Sequence, residues 1–255
     1  MAGTDRKRRL ASAGPAIVLV EPQLGENIGA AARAMLKCGL ADLRLIKPRD
    51  GWPSAKALAA ASGADEVIRS ARLFDSPEAA IADLTMVYAT TARHRGMIKR
   101  VVTPRRGAEE MREAIGRRQS VGILFGAERM GLLNEHIALA DAVIAVPLNP
   151  GFASLNLAQA VLIVGYEWFQ ADDETPASEL VTNETRPATK AELLNFFSHL
   201  EKELDDCGFL RNAEKRPSMV RNIRNLFQRA QLTRQELRTL HGIVAELSTQ
   251  RQRRV

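Results

Sequence analysis

The sequence predicts an α/β fold, a parallel sheet with helices on both faces, followed by a small α-helical bundle. Three observations lead there. Short apolar runs alternate with stretches of helical periodicity over the first two thirds of the chain. Most of the runs are continuous rather than polar–apolar alternations, as expected for strands covered on both faces. After a polar, acidic stretch interrupted by two prolines, the pattern becomes helical only.

Taken in order, the strand segments are 17–20, 43–46, 72–74, 86–89, 121–125 and 143–146. Between the first two, a helix over 28–38 stops at Gly39, a residue suited to the left-handed turn that closes helices. Ser76-Pro77-Glu78 combines a cap, a first-turn proline and an early acid. A third helix starts near Pro104 and continues through Glu109, Met111, Arg112 and Ile115, and the longest covers 155–169. Strand–helix alternation of this kind builds parallel sheets. In the tail, Thr189-Lys190-Ala191-Glu192 and Thr233-Arg234-Gln235-Glu236 are capping boxes, with a further helix over 218–230 between them. The expected organisation is a basic, disordered arm over 1–14, a main domain over 15–170, a linker over 171–188 and a helical domain over 189–255.

Composition narrows the function. Apolar residues make up 45% of the chain and charged residues 26%, as in a globular protein with a real core. No run approaches the ~18 apolar residues of a membrane span, and no apolar stretch follows the basic N-terminus as in a secretory signal. The two cysteines, Cys38 and Cys207, have no metal-ligand spacing, which points away from a metal site or disulfide scaffold and toward a cytoplasmic setting. The net charge of +6 is unevenly placed. Residues 171–207 carry three Lys/Arg against ten Asp/Glu, and residues 208–255 carry eleven against three. A basic tail suits a polyanionic partner.

Neither GxGxxG after the first strand nor GxxxxGK[ST] is present, which disfavours dinucleotide enzymes and P-loop NTPases. Three other segments follow strands, where open α/β sheets place ligands. In VEPQLGENIGAAARAM, Glu26 and Asn27 sit at a helix start and Arg33 stands among small apolar residues. In ILFGAERMGL, Gly126 and Gly131 permit close backbone approach to a ligand, while Glu128 and Arg129 read equally as a local ion pair. In IAVPLNPGFASLNLAQAV, Ser154 or Asn156 is placed to cap a helix.

In this order, ENIGAAARAM, LFGAERMGL and VPLNPGFASLNLAQA resemble the three motifs of the SPOUT class of RNA methyltransferases, within it the TrmH superfamily, and most closely the TrmJ branch. The resemblance extends to ATTARHRG and to the helical tail. It implies a trefoil knot, a homodimer, S-adenosylmethionine as cofactor, and 2′-O-methylation of a pyrimidine at position 32 of tRNA. By motif, Arg33 would be the catalytic arginine, Ser154 the serine of the third motif, and Asn27 a residue near the substrate. The cofactor pocket would draw on Thr90, Thr91, Ala92, Gly126, Glu128, Ile144, Ala145, Val146, Pro147, Leu155 and Asn156. Ala153 stands where some relatives carry a second serine, so a role for that hydroxyl does not transfer.

A ribose hydroxyl needs its proton removed or its developing charge stabilised, and it must be held in line with the methyl group. A guanidinium remains protonated almost always. The preferred role for Arg33 is therefore electrostatic, with Ser154 positioning a hydroxyl, phosphate or water. RNA phosphates would be met by Arg95, Lys99, Arg100, Arg105 and Arg106, and in the tail by Arg211, Lys215, Arg216, Arg221, Arg224 and Arg229. Arg221 and Arg224, three apart, share a helix face. The competing functions are 2′-O-methylation of rRNA or of another tRNA position, a catalytically silent RNA-binding protein of the same fold, and a small-molecule α/β enzyme.

Overall fold

The structure is a computed structural model that describes residues 14–91, 97–178, 181–182 and 184–252. The expected N-terminal arm up to residue 13, together with Ala92, His94 and Arg95, lies outside the described residues.

Among the described residues the sheet has seven strands, all parallel: β1 (Ala16–Val20), β2 (Leu43–Ile46), β3 (Arg72–Phe74), β4 (Met86–Thr90), β5 (Arg100–Val102), β6 (Val121–Phe125) and β7 (Ala142–Ile144). Their order is β3-β2-β1-β6-β4-β7-β5. β1 is inside the sheet, with Ile17 opposite both Leu43 and Ile123, and its five residues are buried. Continuous apolar runs are what such a position demands.

The helices of this unit are α1 (Gly25–Lys37), α2 (Ala55–Ala61), α3 (Asp65–Arg69), α4 (Pro77–Ile81), α5 (Pro104–Gly116), α6 (Asn134–Ala138) and α7 (Leu157–Gln170). The hydroxyls of Ser76 and Thr103 accept the backbone N–H groups of Ala79 and Arg106, so both prolines fall in a capped first turn. Small residues set the packing of α1. A Cβ on Gly29 would lie 2.2 Å from the Ala57 carbonyl oxygen, so α1 and α2 meet backbone to backbone. Arg44, inside an otherwise apolar strand, is buried. Its guanidinium donates to the Ala80 carbonyl and to the carboxylates of Asp42 and Asp83.

Some expectations need correction. β5, α2, α3 and α6 have no counterpart in the sequence reading. α1 begins three residues early, at Gly25, because the chain turns at Leu24 in extended conformation. β7 ends at Ile144, although the Ala145 N–H still donates to the Val102 carbonyl at the sheet edge. α7 starts at Leu157 because Asn156 caps it, accepting from the Ala158 N–H at 2.8 Å.

The chain divides into two compact units, one ending at Thr175 and the other beginning at Pro176. The second holds α8 (Lys190–Asp206), α9 (Arg216–Arg229) and α10 (Arg234–Gln252). α9 starts two residues before the expected 218, with Pro217 in its first turn. The core here is small: Leu193, Phe196, Phe197 and Leu237, with Phe227 edge-on to Phe196 at 5.0 Å. Beside it His199 and His241 stack, their Nδ1 atoms 2.8 Å apart. Among the described residues no helix is long and apolar enough to cross a membrane.

Candidate functional site

The C-terminal ends of β6, β4 and β7, three neighbours in the sheet, open into a cavity of about 320 Å³. Ligands of open α/β sheets bind at this edge. Thr90 and Thr91 enter from β4, Phe125, Gly126 and Glu128 from β6, and Ile144 and Val146 from β7. Ser154 and Leu155 complete the wall before α7. Ala145 and Pro147 do not line it. The Thr90 hydroxyl donates to the Leu124 carbonyl, which ties β4 to β6 beneath the floor.

The segment after β6 curls back over its own start. A Cβ on Gly126 would lie 2.1 Å from the Gly131 carbonyl carbon and 2.2 Å from the Leu132 nitrogen. Gly126 therefore admits its own loop, and it also lines the cavity. Gly131, at φ +66°, makes the return turn and donates its N–H to the Ala127 carbonyl at 2.8 Å. The loop adds Gly131 to the wall, and with it Arg129, Met130 and Leu132, which the sequence did not mark as cofactor-binding.

Glu128 does not pair with Arg129. Its carboxylate accepts the backbone N–H of Gln23 at 2.8 Å, that of Leu24 at 3.3 Å, and the Asn27 amide Nδ2 at 2.7 Å. A carboxylate at the approach to a helix start meets both oriented N–H groups and the positive end of the helix dipole. The Asn27 Oδ1 in turn accepts Nδ2 of Asn156 at 3.0 Å. One chain of hydrogen bonds thus links the three motif segments: Glu128 after β6, Asn27 on α1 and Asn156 at the cap of α7.

Beyond this network lies a second, more open cleft of about 530 Å³. It shares Glu128, Arg129, Ser154 and Leu155 with the first cavity and adds Asn27, Asn156, Arg49 and Phe152. Ser154 is exposed, and among the described residues its hydroxyl has no partner. Arg33 is exposed on α1, equally without a partner among the described residues, and lines neither cavity of its own chain. Among the described residues no three His, Cys, Asp or Glu side chains are grouped to hold a metal ion.

The basic residues named for RNA divide sharply. Arg100 and Arg106 both hold Glu110, at 2.6 and 2.9 Å, and the bonds from Arg100, the Tyr88 hydroxyl and Arg106, in that order, keep that carboxyl down at about 2 against its burial. Arg105 pairs with Glu167, Arg216 with Asp205, and Arg224 with Glu201. Lys99 donates to the carbonyls of Ala138 and Ala140. Arg211, Lys215, Arg221 and Arg229 are exposed and have no side-chain partner among the described residues. Arg221 and Arg224 therefore differ in use: one faces water, the other is bound to α8.

Two family models match the sequence. The SpoU rRNA Methylase family covers residues 14–166, and the C-terminal domain of the tRNA methyltransferase TrmJ covers residues 191–255. The chain is 38% identical over 242 residues to the tRNA (cytidine/uridine-2′-O-)-methyltransferase TrmJ of Citrobacter koseri, covering 92% of this chain and 96% of that protein. It is 37% identical over 240 residues to the TrmJ of Salmonella typhimurium, with 92% and 96% covered. The crystal structure of TrmJ from Z. mobilis ZM4 matches with a TM-score of 0.81 at 47% identity, covering 92% of this chain and all of that one.

Proposed function

The chain belongs to the SpoU methylase family and carries a TrmJ-type C-terminal domain, and from that premise we propose that it methylates the ribose 2′-hydroxyl of a pyrimidine at position 32 of tRNA, with S-adenosylmethionine as donor. The observation that carries this reading is the Glu128–Asn27–Asn156 network, which joins the three motif segments at the cavity mouth beside the unengaged Ser154 hydroxyl.

The residues present fit the donor. A cavity of about 320 Å³ is within the range that holds such ligands. Leu132, Ile144, Leu148 and Leu155 offer apolar walls to an adenine ring, and Thr90 and Thr91 offer polar atoms at its edge. When bound, the donor supplies an electrophilic methyl group on a sulfonium. The rest falls to this chain. Arg33 orients the neighbouring phosphate and stabilises the negative charge that develops on the ribose oxygen. Ser154 fixes the position of the hydroxyl or phosphate by hydrogen bonding. Glu128 acts indirectly, by holding the start of α1 and the Asn27 amide in place.

On this proposal the protein is a cytoplasmic homodimer with a trefoil knot in the segments after β6 and β7. Leu162, Tyr166 and Phe169, at helical spacing on α7, leave an exposed apolar stripe for a second copy. Arg33 stands exposed on α1, which packs beside α7, and so is available to the second copy's site. The rRNA in the family description gives a second substrate, but the match over residues 191–255 is to a tRNA methyltransferase domain and favours tRNA.

The test is nucleoside mass spectrometry with fragment mapping, on unmodified tRNA incubated with the enzyme and labelled S-adenosylmethionine. The expected product is one 2′-O-methyl pyrimidine at position 32. Methylation of rRNA alone, or of another tRNA nucleotide, would replace the substrate assignment.

A further inference from the structure

The open cleft beside the donor cavity contains three groups that the reading above does not use: Arg49, Arg129 and Phe152. Phe152 is 80% exposed, an unfavourable place for a ring with no polar atom. It is also held there. Asn149-Pro150-Gly151-Phe152 forms a turn in which the Asn149 carbonyl accepts the Phe152 N–H at 2.9 Å and the Asn149 side chain accepts the Gly151 N–H at 3.0 Å. The ring is therefore presented on a braced loop. Among the described residues Arg129 is exposed without a partner, and the Arg49 side chain has only a loose contact with Asp50 at 3.5 Å.

An open aromatic face with two available guanidinium groups matches a nucleotide: the base stacks and the phosphates take the arginines. The cleft reaches the donor cavity through Ser154 and Leu155, so a nucleotide in it has its ribose near the cavity mouth. We propose that this cleft seats the target nucleotide, with Phe152 stacking on its base and Arg49 and Arg129 holding the phosphates on either side. The proposal rests on the RNA-methyltransferase reading and adds positioning residues to it. Stacking reads no hydrogen-bonding edge, so Phe152 serves cytosine and uracil alike.

Phe152 lies outside the core and outside the donor-cavity lining, so Phe152→Ala leaves folding and donor binding intact. Three quantities test the proposal on the full chain: tRNA affinity against salt, donor affinity by calorimetry, and steady-state transfer. Phe152→Ala is expected to weaken tRNA binding and kcat/KM roughly 5- to 100-fold, equally for cytidine and uridine targets, and Phe152→Tyr to restore them. Arg49→Gln is expected to flatten the slope of log affinity against log salt by about 0.7–0.9. Unchanged tRNA binding in Phe152→Ala overturns the proposal, as does a loss confined to donor affinity. If the wild-type protein binds tRNA but transfers no methyl group, the functional reading falls and the binding series still decides the cleft. Wild-type protein that binds no RNA removes both.

Discussion

The two units of this chain set their charged groups on cores of very different size. In the sheet unit three charged groups are held from several fixed elements at once: Arg44 between Asp42 and Asp83, Glu110 between Arg100 and Arg106, and Glu128 on the N–H groups before α1. A core that continues on both faces of the sheet makes such anchoring possible, because the partners approach from fixed elements. In the helical unit a cluster of four buried apolar side chains carries the fold, and α9 buries none. Its available arginines point to water. A site needs side chains fixed to fractions of an ångström, whereas a phosphate surface needs only charge within reach.

That contrast is sharpest between exposed arginines of the two units. Arg33→Ala should lower kcat by about 10²–10³-fold with the unfolding midpoint unchanged, as measured by single-turnover methylation and denaturant titration. An unchanged rate would remove Arg33 from the chemistry. Gly126→Ala should be next, costing about 1–3 kcal/mol of stability and abolishing donor binding, since its methyl group would meet backbone and not a movable side chain. Wild-type-like calorimetry would show that the loop relaxes freely. The double variant Arg221→Gln, Arg229→Gln should raise KM for tRNA several-fold and leave kcat alone, with the salt slope reduced by about 0.7–0.9 per lost phosphate contact. A fall in kcat instead would place the tail arginines in the transition state.

Two smaller effects belong to the helical unit. Burial, reinforced by the charge of His199, holds His241 below the usual imidazole value of 6.5. The unfolded chain therefore binds this proton more readily. The contribution to stability is intact above about pH 6.5 and declines as pH falls from there through the lower folded value. Hydrogen exchange should show α8 and α10 losing protection between pH 7.5 and 5.5, and His241→Gln should flatten that profile. Gly242 is the counterpart of Gly126: it lies inside α10 with open space where a Cβ would stand. Gly242→Ala should stabilise the protein by about 0.4–1 kcal/mol, giving the same substitution opposite signs in the two units.

The residues that were legible from sequence are those whose local chemistry is complete. The apolar runs of β1, β2 and β6 admit no other environment, and the capping boxes at Thr189 and Thr233 lie in consecutive residues. β5 was missed because it is three residues long, begins with Arg100 and lies at the sheet edge, where only Val102 is buried. α2 was missed because its alanines pack against the helix across from them, a partner no local pattern displays. Asn27, Glu128 and Asn156 were singled out, but not what they touch. Glu128 beside Arg129 in sequence suggests an ion pair, whereas its partners lie about a hundred residues away.

The hydrogen bond from Asn156 to Asn27 spans 129 positions of sequence, and that from Asn27 to Glu128 spans 101. Contacts of such range close late in folding, after the loop-closure entropy of the intervening strands has been met. The site therefore comes into being only when nearly the whole sheet unit is in place. During refolding, helical signal should recover before donor binding does, so the chain cannot bind its donor while still half-formed.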